Sequence, residues 1–148
     1  MIRKICYSDR DEYIKMAEDF YASSAVSHPI PKNNFENAFN AAISGDPCIK
    51  IYIFEKNGET AGYAALALTY TTEGGGKTVW LDELYVREDF RGNGLGKDFI
   101  EFLKSDNTIK RIRLEITPEN DRAKKLYSAL GFYACDYKQM IFDRPIRS

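Results

Sequence analysis

The chain contains, near its middle, the glycine-rich hexapeptide Arg91-Gly92-Asn93-Gly94-Leu95-Gly96. A strand-like run, Val79–Val86, precedes this stretch, and an amphipathic helical pattern over Leu95–Leu103 continues from it. A turn between a strand and a helix directs free backbone N–H groups at an anion, and the helix dipole adds partial positive charge there. Because glycine has no side chain, it lets the backbone approach a phosphate closely. The stretch therefore predicts a site for a phosphorylated ligand.

Two common phosphate-binding motifs do not fit the spacing of this turn. A dinucleotide fingerprint counted from Gly92 places its third glycine on Lys97. A Walker loop ending at Gly96-Lys97 would need a glycine at Arg91 and a Ser or Thr at Asp98. The pattern that remains is R-x-x-G-x-G. Such a turn is also a common tight connection, so the hexapeptide alone leaves a structural and a binding role open.

A second block lies downstream of the turn, over residues 119–132. It has the pattern E-N-x-x-A-x-x-L-Y-x-x-L-G-F, from Glu119 to Phe132. The first block resembles the acyl-CoA pyrophosphate loop of the GNAT N-acetyltransferases, and the second resembles the other signature of that family. The two blocks occur in the family's order, and the resemblance covers residues 79–134 directly.

The order of predicted elements, β-α-α-β-β-β-α-β-α-β, is similar to that of the GNAT fold. The resemblance implies an α/β (α+β) architecture, a mixed and mostly antiparallel central sheet of six to seven strands with helices on both faces, in a single domain spanning 1–148. Asn57-Gly58 predicts a hairpin turn. Alternating side chains predict a strand over Arg111–Thr117, and Thr117 with Pro118 predicts the start of the next helix. We expect residues 132–142 to form the last strand or hairpin.

Composition bounds the class of protein. The chain has 148 residues, 44% of them hydrophobic and 29% charged, with a net charge of −1 and no long basic run, so we expect no nucleic-acid partner. No apolar stretch approaches the ~20 residues of a membrane span, and the N-terminus is too soon polar for a signal peptide. Cys6, Cys48 and Cys135 lie in or beside apolar runs, so we expect reduced core thiols and a cytoplasmic protein. With one histidine and no C-x-x-C pair, we expect no metal.

The resemblance implies acetyl-CoA as co-substrate and assigns its binding residues. The backbone N–H groups of Arg91 through Gly96 would hold the pyrophosphate, while Lys97 is either a further charge contact or a solvated surface lysine. The backbone of Leu84 and Val86 would pair with the pantetheine arm, and an N–H there would face the thioester carbonyl. Asn120 would contact the pantetheine arm, satisfy free N–H groups at a helix start, or do both.

Tyr127, Asp82 and Glu83 are the catalytic candidates. Tyr127 matches the family's tyrosine, which would protonate the leaving thiolate; otherwise it is a core aromatic. Leu81–Val86 is similar to a strand of spermidine/spermine acetyltransferases, which implies that Asp82 activates the amine, commonly through water, and that Glu83 binds the amine. A β-bulge, usual in the family at this point, would bring both acids to the acceptor. The alternative for the acids is an ion pair with Arg87 or Arg111.

His28 is the only histidine and lies in a loop that often walls the acceptor site in this family. It is either a substrate-binding residue or a surface residue. The resemblance thus implies an N-acetyltransferase acting on a primary amine of a small, cationic acceptor by direct attack in a ternary complex. A non-catalytic acyl-CoA sensor, a nucleotide-binding fold and acetylation of a protein or peptide amine remain as alternatives, and a homodimer is possible.

Overall fold

A computed structural model describes residues 1–144 of the chain. The elements are, in chain order, β1 (Ile2–Lys4), α1 (Arg10–Tyr21), α2 (Asn33–Ile43), β2 (Ile49–Lys56), β3 (Glu59–Thr71), β4 (Gly76–Val86), α3 (Leu95–Lys104), β5 (Ile109–Leu114) and α4 (Asp121–Ala129). Two single-turn 3-10 helices, Tyr7–Asp9 and Glu88–Phe90, precede α1 and follow β4.

The strands form one sheet whose spatial order is the order of the chain, β1-β2-β3-β4-β5. Every neighbouring pair is antiparallel except β4 and β5, which run parallel with α3 as the crossover. The predicted hairpin turn between β2 and β3 is confirmed, because Asn57 and Gly58 have φ of 55° and 76°. Positive φ at both central residues is the geometry of a type I′ turn, one of the two common two-residue hairpin loops.

Helices cover both faces of the sheet, as predicted. On one face, α1 and α2 pack Tyr13, Met16, Phe35 and Phe39 against Ile51, Ile53 and Tyr63 of the sheet. On the other face, α3 packs Phe99, Ile100 and Leu103 against Phe54, Leu66 and Leu81, and Leu130 joins this cluster from the end of α4. We refer to these two clusters as the α1-side core and the α3-side core. The sheet is therefore buried from both sides along β2, β3 and β4.

The prediction of six to seven strands is wrong for the described residues, which hold five strands. Residues 132–144 follow α4 without any strand, although their sequence is strand-like. An apolar, β-favouring sequence becomes a strand only where a neighbour accepts its backbone hydrogen bonds. Within residues 1–144, this segment has no such neighbour.

Two further expectations are corrected. The strand predicted over Arg111–Thr117 ends at Leu114, and the next helix begins at Asp121 with Asn120 as its N-cap, not at Thr117 and Pro118. Thr and Asn are both good N-cap residues, so the pattern did not distinguish them. The cysteines are not core thiols, because Cys6, Cys48 and Cys135 are all exposed.

Candidate active site

The glycine-rich turn links the end of β4 to α3. Gly92 and Gly94 have φ of 81° and 74°, which favours glycine, and Gly94 is the N-cap of α3. Asn93 turns its amide away from the helix and donates to the carbonyl of Phe90 at 2.9 Å. The hydrogen bond from the Asn93 side chain to the Phe90 carbonyl therefore stabilises the turn without using any of its backbone N–H groups.

The start of α3 has no side-chain cap. Within residues 1–144, none of the hydrogen bonds is donated by the N–H of residues 92–96. Free N–H groups at a helix start, together with the helix dipole, form a site for an anion. The turn thus has the geometry that the sequence predicted for a phosphate site.

Strands β4 and β5 separate just before this turn. Their parallel pairing ends at Leu81 and Leu114, while β4 continues to Val86 against β3 alone. The N–H of Arg87 donates to the Ala61 carbonyl of β3 at 2.8 Å. Because backbone groups alternate sides along a strand, those of Leu84 and Val86 point to the open side. An extended ligand can pair with this side of β4.

Arg91 occupies one acceptor on this open side. Its Nε donates to the Val86 carbonyl at 2.9 Å, and its guanidinium lies 6.0 Å from the ring centroid of Tyr85. Arg91 thereby fixes the path of the chain from β4 into the turn. Lys97, in the first turn of α3, is exposed.

The β-bulge expected in β4 is confirmed at Asp82. Ala65 pairs with Glu83 and Leu66 pairs with Leu81, so Asp82 has no partner in β3. Leu81 and Leu84 both pack in the α3-side core although they are three positions apart in the chain, an odd offset. An odd separation puts side chains on opposite faces of a regular strand, so the extra residue turns Asp82 and Glu83 together toward the other face.

Glu83 lies among tyrosines on that face. The hydroxyl of Tyr63, which is fully buried, donates to Glu83 Oε1 at 2.7 Å. Burial raises the pKa of Glu83 to about 7; the hydrogen bond from Tyr63 lowers it, the charge of Asp82 raises it, and a hydrogen bond from Tyr21 lowers it. A carboxyl group with a pKa near 7 exchanges protons readily at neutral pH.

Asp82 is exposed. The pKa of its carboxyl is raised mainly by partial desolvation and, to a smaller extent, by the nearby charge of Glu115. The predicted alternative of an ion pair with Arg87 or Arg111 is not what the described residues show. Arg87 pairs with Glu12 of α1, and Arg111 pairs with Glu73. The two acids of the bulge are thus left without a basic side chain as partner in residues 1–144.

Tyr127 is half-buried in α4 and packs edge-to-face on Phe132, with ring centroids 5.6 Å apart. Burial raises the pKa of its hydroxyl. The ring belongs to the margin of the α3-side core, so the packing role and the proposed acid role can both hold. Asn120 caps α4, because its Oδ1 accepts the N–H of Ala123 at 3.1 Å; its contact with a pantetheine arm stays a prediction.

Within residues 1–144, no hydrogen bond or ion pair joins His28 to Asp82 or Glu83. His28 is exposed in the loop between α1 and α2. Sequence reasoning missed Tyr21 and Tyr63, because both fit the apolar pattern of their elements and a contact with Glu83 depends on strand register. The alternation of side chains along β3 and β4 predicts that Tyr63 and Glu83 are neighbours only once the position of the bulge at Asp82 is known.

A cleft of about 1050 Å³ lies between α1 and the end of β4. On its β4 side the hydroxyl of Tyr85 donates to Asp19 Oδ2 of α1 at 3.1 Å. Carboxylates outnumber guanidinium groups in the lining; the charged residues are Glu12, Asp19, Glu59, Glu88, Asp89, Arg87 and Arg91. A surface of this composition attracts cations.

No helix within residues 1–144 has the length and apolar character needed to cross a membrane. In the same part of the chain, no three His, Cys, Asp or Glu side chains are grouped so that they could share a metal ion.

A model of the family described as "Acetyltransferase (GNAT) family" matches residues 11–132. The thialysine N-epsilon-acetyltransferase of Bos taurus is 30% identical over 92 residues, 57% of this chain and 54% of that protein. The spermine/spermidine N(1)-acetyltransferase of Bacillus subtilis (strain 168) is 35% identical over 81 residues, 51% of this chain and 53% of that protein. The chain spans about half the length of these two curated relatives.

Among solved structures, one described as "a possible acetyltransferase from Clostridium difficile 630" is similar with a TM-score of 0.84. The alignment covers 99% of this chain and 98% of that chain at 19% sequence identity. At that identity the likeness shows a shared fold.

Proposed function

The chain belongs to the GNAT acetyltransferase family, and from this membership we propose that it transfers the acetyl group of acetyl-CoA to a primary amine of a small, cationic acceptor. The amine attacks the thioester carbonyl directly while both substrates are bound. A carbon–nitrogen bond forms, the carbon–sulfur bond breaks, and the protein takes a proton from the amine and returns one to the sulfur.

The free N–H groups of residues 92–96 support the assignment of the pyrophosphate site. The open side of β4 at Leu84 and Val86 supports pairing with the pantetheine arm. An N–H on that side, aimed at the thioester carbonyl, would stabilise the negative charge that develops on its oxygen. In other enzymes, the loss of one such donor lowers the rate by on the order of 10²–10³-fold.

We assign the role of general base to Glu83 and that of attracting the cationic acceptor to Asp82. The sequence resemblance predicted the reverse assignment. Glu83 is the more buried acid, is held by Tyr63, and has a pKa of about 7. A primary ammonium has a pKa near ~10, so transfer to Glu83 is less uphill than transfer to an ordinary carboxylate near ~4. One bridging water can complete the path.

Tyr127 is the proposed acid. An ordinary phenol, with a pKa near ~10, is protonated at neutral pH, and a thiol has a pKa near ~8.5. Burial raises the pKa of Tyr127 further, which keeps the proton on its oxygen until the thiolate leaves. We expect Tyr127→Phe to lower turnover by roughly 10²-fold with little change in CoA affinity. A variant with unchanged turnover would remove Tyr127 as the acid.

The two acids of the bulge, Asp82 and Glu83, support a cationic acceptor, because within residues 1–144 neither has a basic side chain as an ion-pair partner. The names of both curated relatives describe acetylation of a nitrogen on an amine. We therefore place polyamines and lysine-like amines first among acceptor classes, with aminoglycosides and peptide amines as further classes to test.

The observation that carries the proposal is the uncapped start of α3, with the open side of β4 beside it. The test is an assay of CoA release from acetyl-CoA across a panel of these amines, with thermal unfolding in parallel. A ligand at ~100 times its Kd adds about 2.7 kcal/mol of apparent stability. We expect acetyl-CoA to raise the Tm, and ATP and NAD to leave it unchanged. Binding of acetyl-CoA without release of CoA for any amine would favour a non-catalytic sensor.

A further inference from the structure

Helix α4 carries the proposed acid, Tyr127, yet it is the least covered of the four α-helices. Within residues 1–144 none of its nine residues is buried, and only Ala123 and Tyr127 are half-buried. Isolated helices shorter than ~12–15 residues are marginal in water, and most helical stability in proteins comes from tertiary packing. The position of Tyr127 therefore depends on the few contacts that hold α4 to the rest of the molecule.

The C-terminal end of α4 is a compact turn. Gly131 has φ of 95°, and its N–H donates to the carbonyl of Ser128 at 3.1 Å. The N–H of Phe132 donates to the carbonyl of Tyr127 at 3.0 Å. These two hydrogen bonds form a Schellman motif, and the apolar contact that accompanies such a motif is here the contact between the rings of Phe132 and Tyr127. The orientation of the Tyr127 ring is therefore linked to the placement of residues 130–132.

Two contacts attach this turn to the body. The side chain of Leu130 is 8% exposed and packs in the α3-side core. The carbonyl of Leu130 accepts a hydrogen bond of 2.5 Å from Nζ of Lys104, the last residue of α3. Within residues 1–144, this is the one hydrogen bond that joins residues 121–132 to α3 or to the sheet. Because the carbonyls at a helix C-terminus carry partial negative charge, the ammonium group of Lys104 also stabilises this end of α4 through its charge.

We propose that Lys104 is a positioning residue for Tyr127. Its hydrogen bond to Leu130 holds the end of α4, and thereby holds the phenol at the place where the sulfur of acetyl-CoA leaves. This inference rests on the proposed function, in which Tyr127 protonates that sulfur. The start of α3 carries the free N–H groups of the pyrophosphate site, and Lys104 stands at its other end. The ten residues of α3 thus form a rigid spacer of about 15 Å between the phosphate site and the support of the acid.

The first test compares three variants in the assay of CoA release. Lys104→Met keeps the length of the side chain and removes its charge and its donor. We expect kcat to fall by about tenfold, because a displacement of ~1 Å at a reacting group can cost up to about 10²-fold in rate. KM for acetyl-CoA should change little, since the start of α3 is untouched. Lys104→Arg keeps a charged donor and should retain most of the native kcat, and a loss equal to that of Lys104→Met would overturn the proposal.

Glu101→Gln is the matched control. Glu101 Oε1 lies 3.7 Å from Lys104 Nζ, so this variant removes the ion pair within α3 and leaves the hydrogen bond to Leu130 in place. It should keep the native kcat. If Glu101→Gln lost as much activity as Lys104→Met, the charge pair within α3 would be the cause, and the role of the contact with α4 would be overturned.

A double-mutant cycle with Tyr127→Phe separates positioning from a general structural effect. If Lys104 acts through Tyr127, Lys104→Met lowers kcat in the native background and has no further effect on kcat in the Tyr127→Phe background. If the two losses multiply instead, Lys104 acts on another part of the reaction, and the proposal is overturned.

Amide hydrogen exchange tests the attachment of α4 without any substrate. In Lys104→Met, the amides of residues 130–132 should exchange faster than in the native protein, whereas the amides of α3 and the sheet should keep their native rates. Unchanged exchange at residues 130–132 would overturn the proposal even in an active enzyme. Faster exchange there, in a protein whose native form releases no CoA with any amine, would contradict the proposed function and leave the attachment of α4 by Lys104 supported.

Discussion

At the scale of single residues, Glu83 shows how packing turns an ordinary carboxylate into a reactive one. Burial raises its pKa to about 7, while the hydrogen bonds from Tyr63 and Tyr21 oppose that rise. Without those donors the acid would stay protonated further into the alkaline range and could not accept a proton at neutral pH. The hydrogen bonds from the tyrosines therefore offset part of the rise in pKa that burial causes, so that Glu83 can be ionised near neutral pH.

Tyr63→Phe should move the acid limb of the kcat/KM profile to higher pH by on the order of one unit, since the lost hydrogen bond favoured the charged form of Glu83. KM for acetyl-CoA should change little, because Tyr63 lies on the α1 side of the sheet. The measurement is the pH dependence of CoA release, from which kcat and KM are separated.

The matched control for Tyr63 is Tyr13→Phe. The ring of Tyr13 packs edge-to-face on Tyr63 at 5.2 Å and is equally buried. Among the hydrogen bonds of Glu83 that the structure gives, none comes from the Tyr13 hydroxyl. The control should keep the native profile. Equal shifts in both variants would mean that buried packing, and not the hydrogen bond, sets the profile.

At the scale of elements, the parts that could be predicted from sequence are those with a local cause. The hairpin was predicted because Asn57 and Gly58 tolerate the positive φ that they adopt. Helices α1 and α3 were predicted because their apolar residues recur every three or four positions and form one buried face. The bulge at Asp82 came from the resemblance, since the residues alone give no signal for it. The turn of residues 91–96 was found because glycine spacing is itself the signal.

The parts that could not be predicted depend on partners distant in the chain. Tyr63 meets Glu83 only because the register of β3 against β4 is shifted by one residue at the bulge. The strand expected over residues 132–142 failed because alternation describes side chains, whereas a strand is defined by the backbone of its neighbour. Sequence patterns therefore predict individual helices and strands, but not which side chains of different elements come into contact.

Gly62→Ala should separate β3 from β4 beside the proposed site. A methyl group on Gly62 would overlap the carbonyl oxygen of Tyr85 and crowd the backbone of Val86. Both obstacles are backbone atoms, so one strand must shift, and overpacking of this kind typically lowers the free energy of unfolding by about 1–3 kcal/mol. Urea unfolding measures the change.

Gly96→Ala is the same chemical change where there is room. A methyl group there would meet Leu84 at 3.5 Å, an ordinary contact, and the position is helical. Its unfolding free energy should equal or exceed that of the native protein, because alanine favours helix over glycine by roughly 1 kcal/mol. If Gly62→Ala unfolds at the same urea concentration as Gly96→Ala, then β3 and β4 can accommodate a methyl group at Gly62 without loss of stability.

At the scale of the whole molecule, the raised pKa of Glu83 makes stability depend on pH. Its pKa rises from 4.5 to about 7 on folding, so between these values the unfolded chain ionises first and gains stability as pH rises. The folded state is thus penalised progressively from pH 4.5 to about 7, and the penalty is constant above that range. We expect Glu83→Gln to unfold like the native protein near pH 4.5 and to be more stable at pH 8, by on the order of 3 kcal/mol.

The difference in stability between the native protein and the Glu83→Gln variant reports on Glu83 alone, because the other titrating groups are present in both proteins. Asp9, whose pKa falls to about 2 mainly through its hydrogen bond with Arg3, stabilises the fold above its unfolded pKa and loses that effect in acid. This contribution is the same in both proteins and cancels. A difference in Tm that did not change between acidic and alkaline buffers would show that the pKa of Glu83 is the same in the folded and the unfolded protein.

The sheet's strand order has a consequence for how the molecule is made. Strands β2, β3 and β4 are joined by short turns and pair with their neighbours in sequence, so this meander closes with little loss of chain entropy. It carries the bulge, Tyr63 and Glu83, whereas β5 and α4 are synthesised later. During translation, the pair formed by Glu83 and Tyr63 can therefore take shape on the nascent chain before α4, which carries Tyr127, has been made.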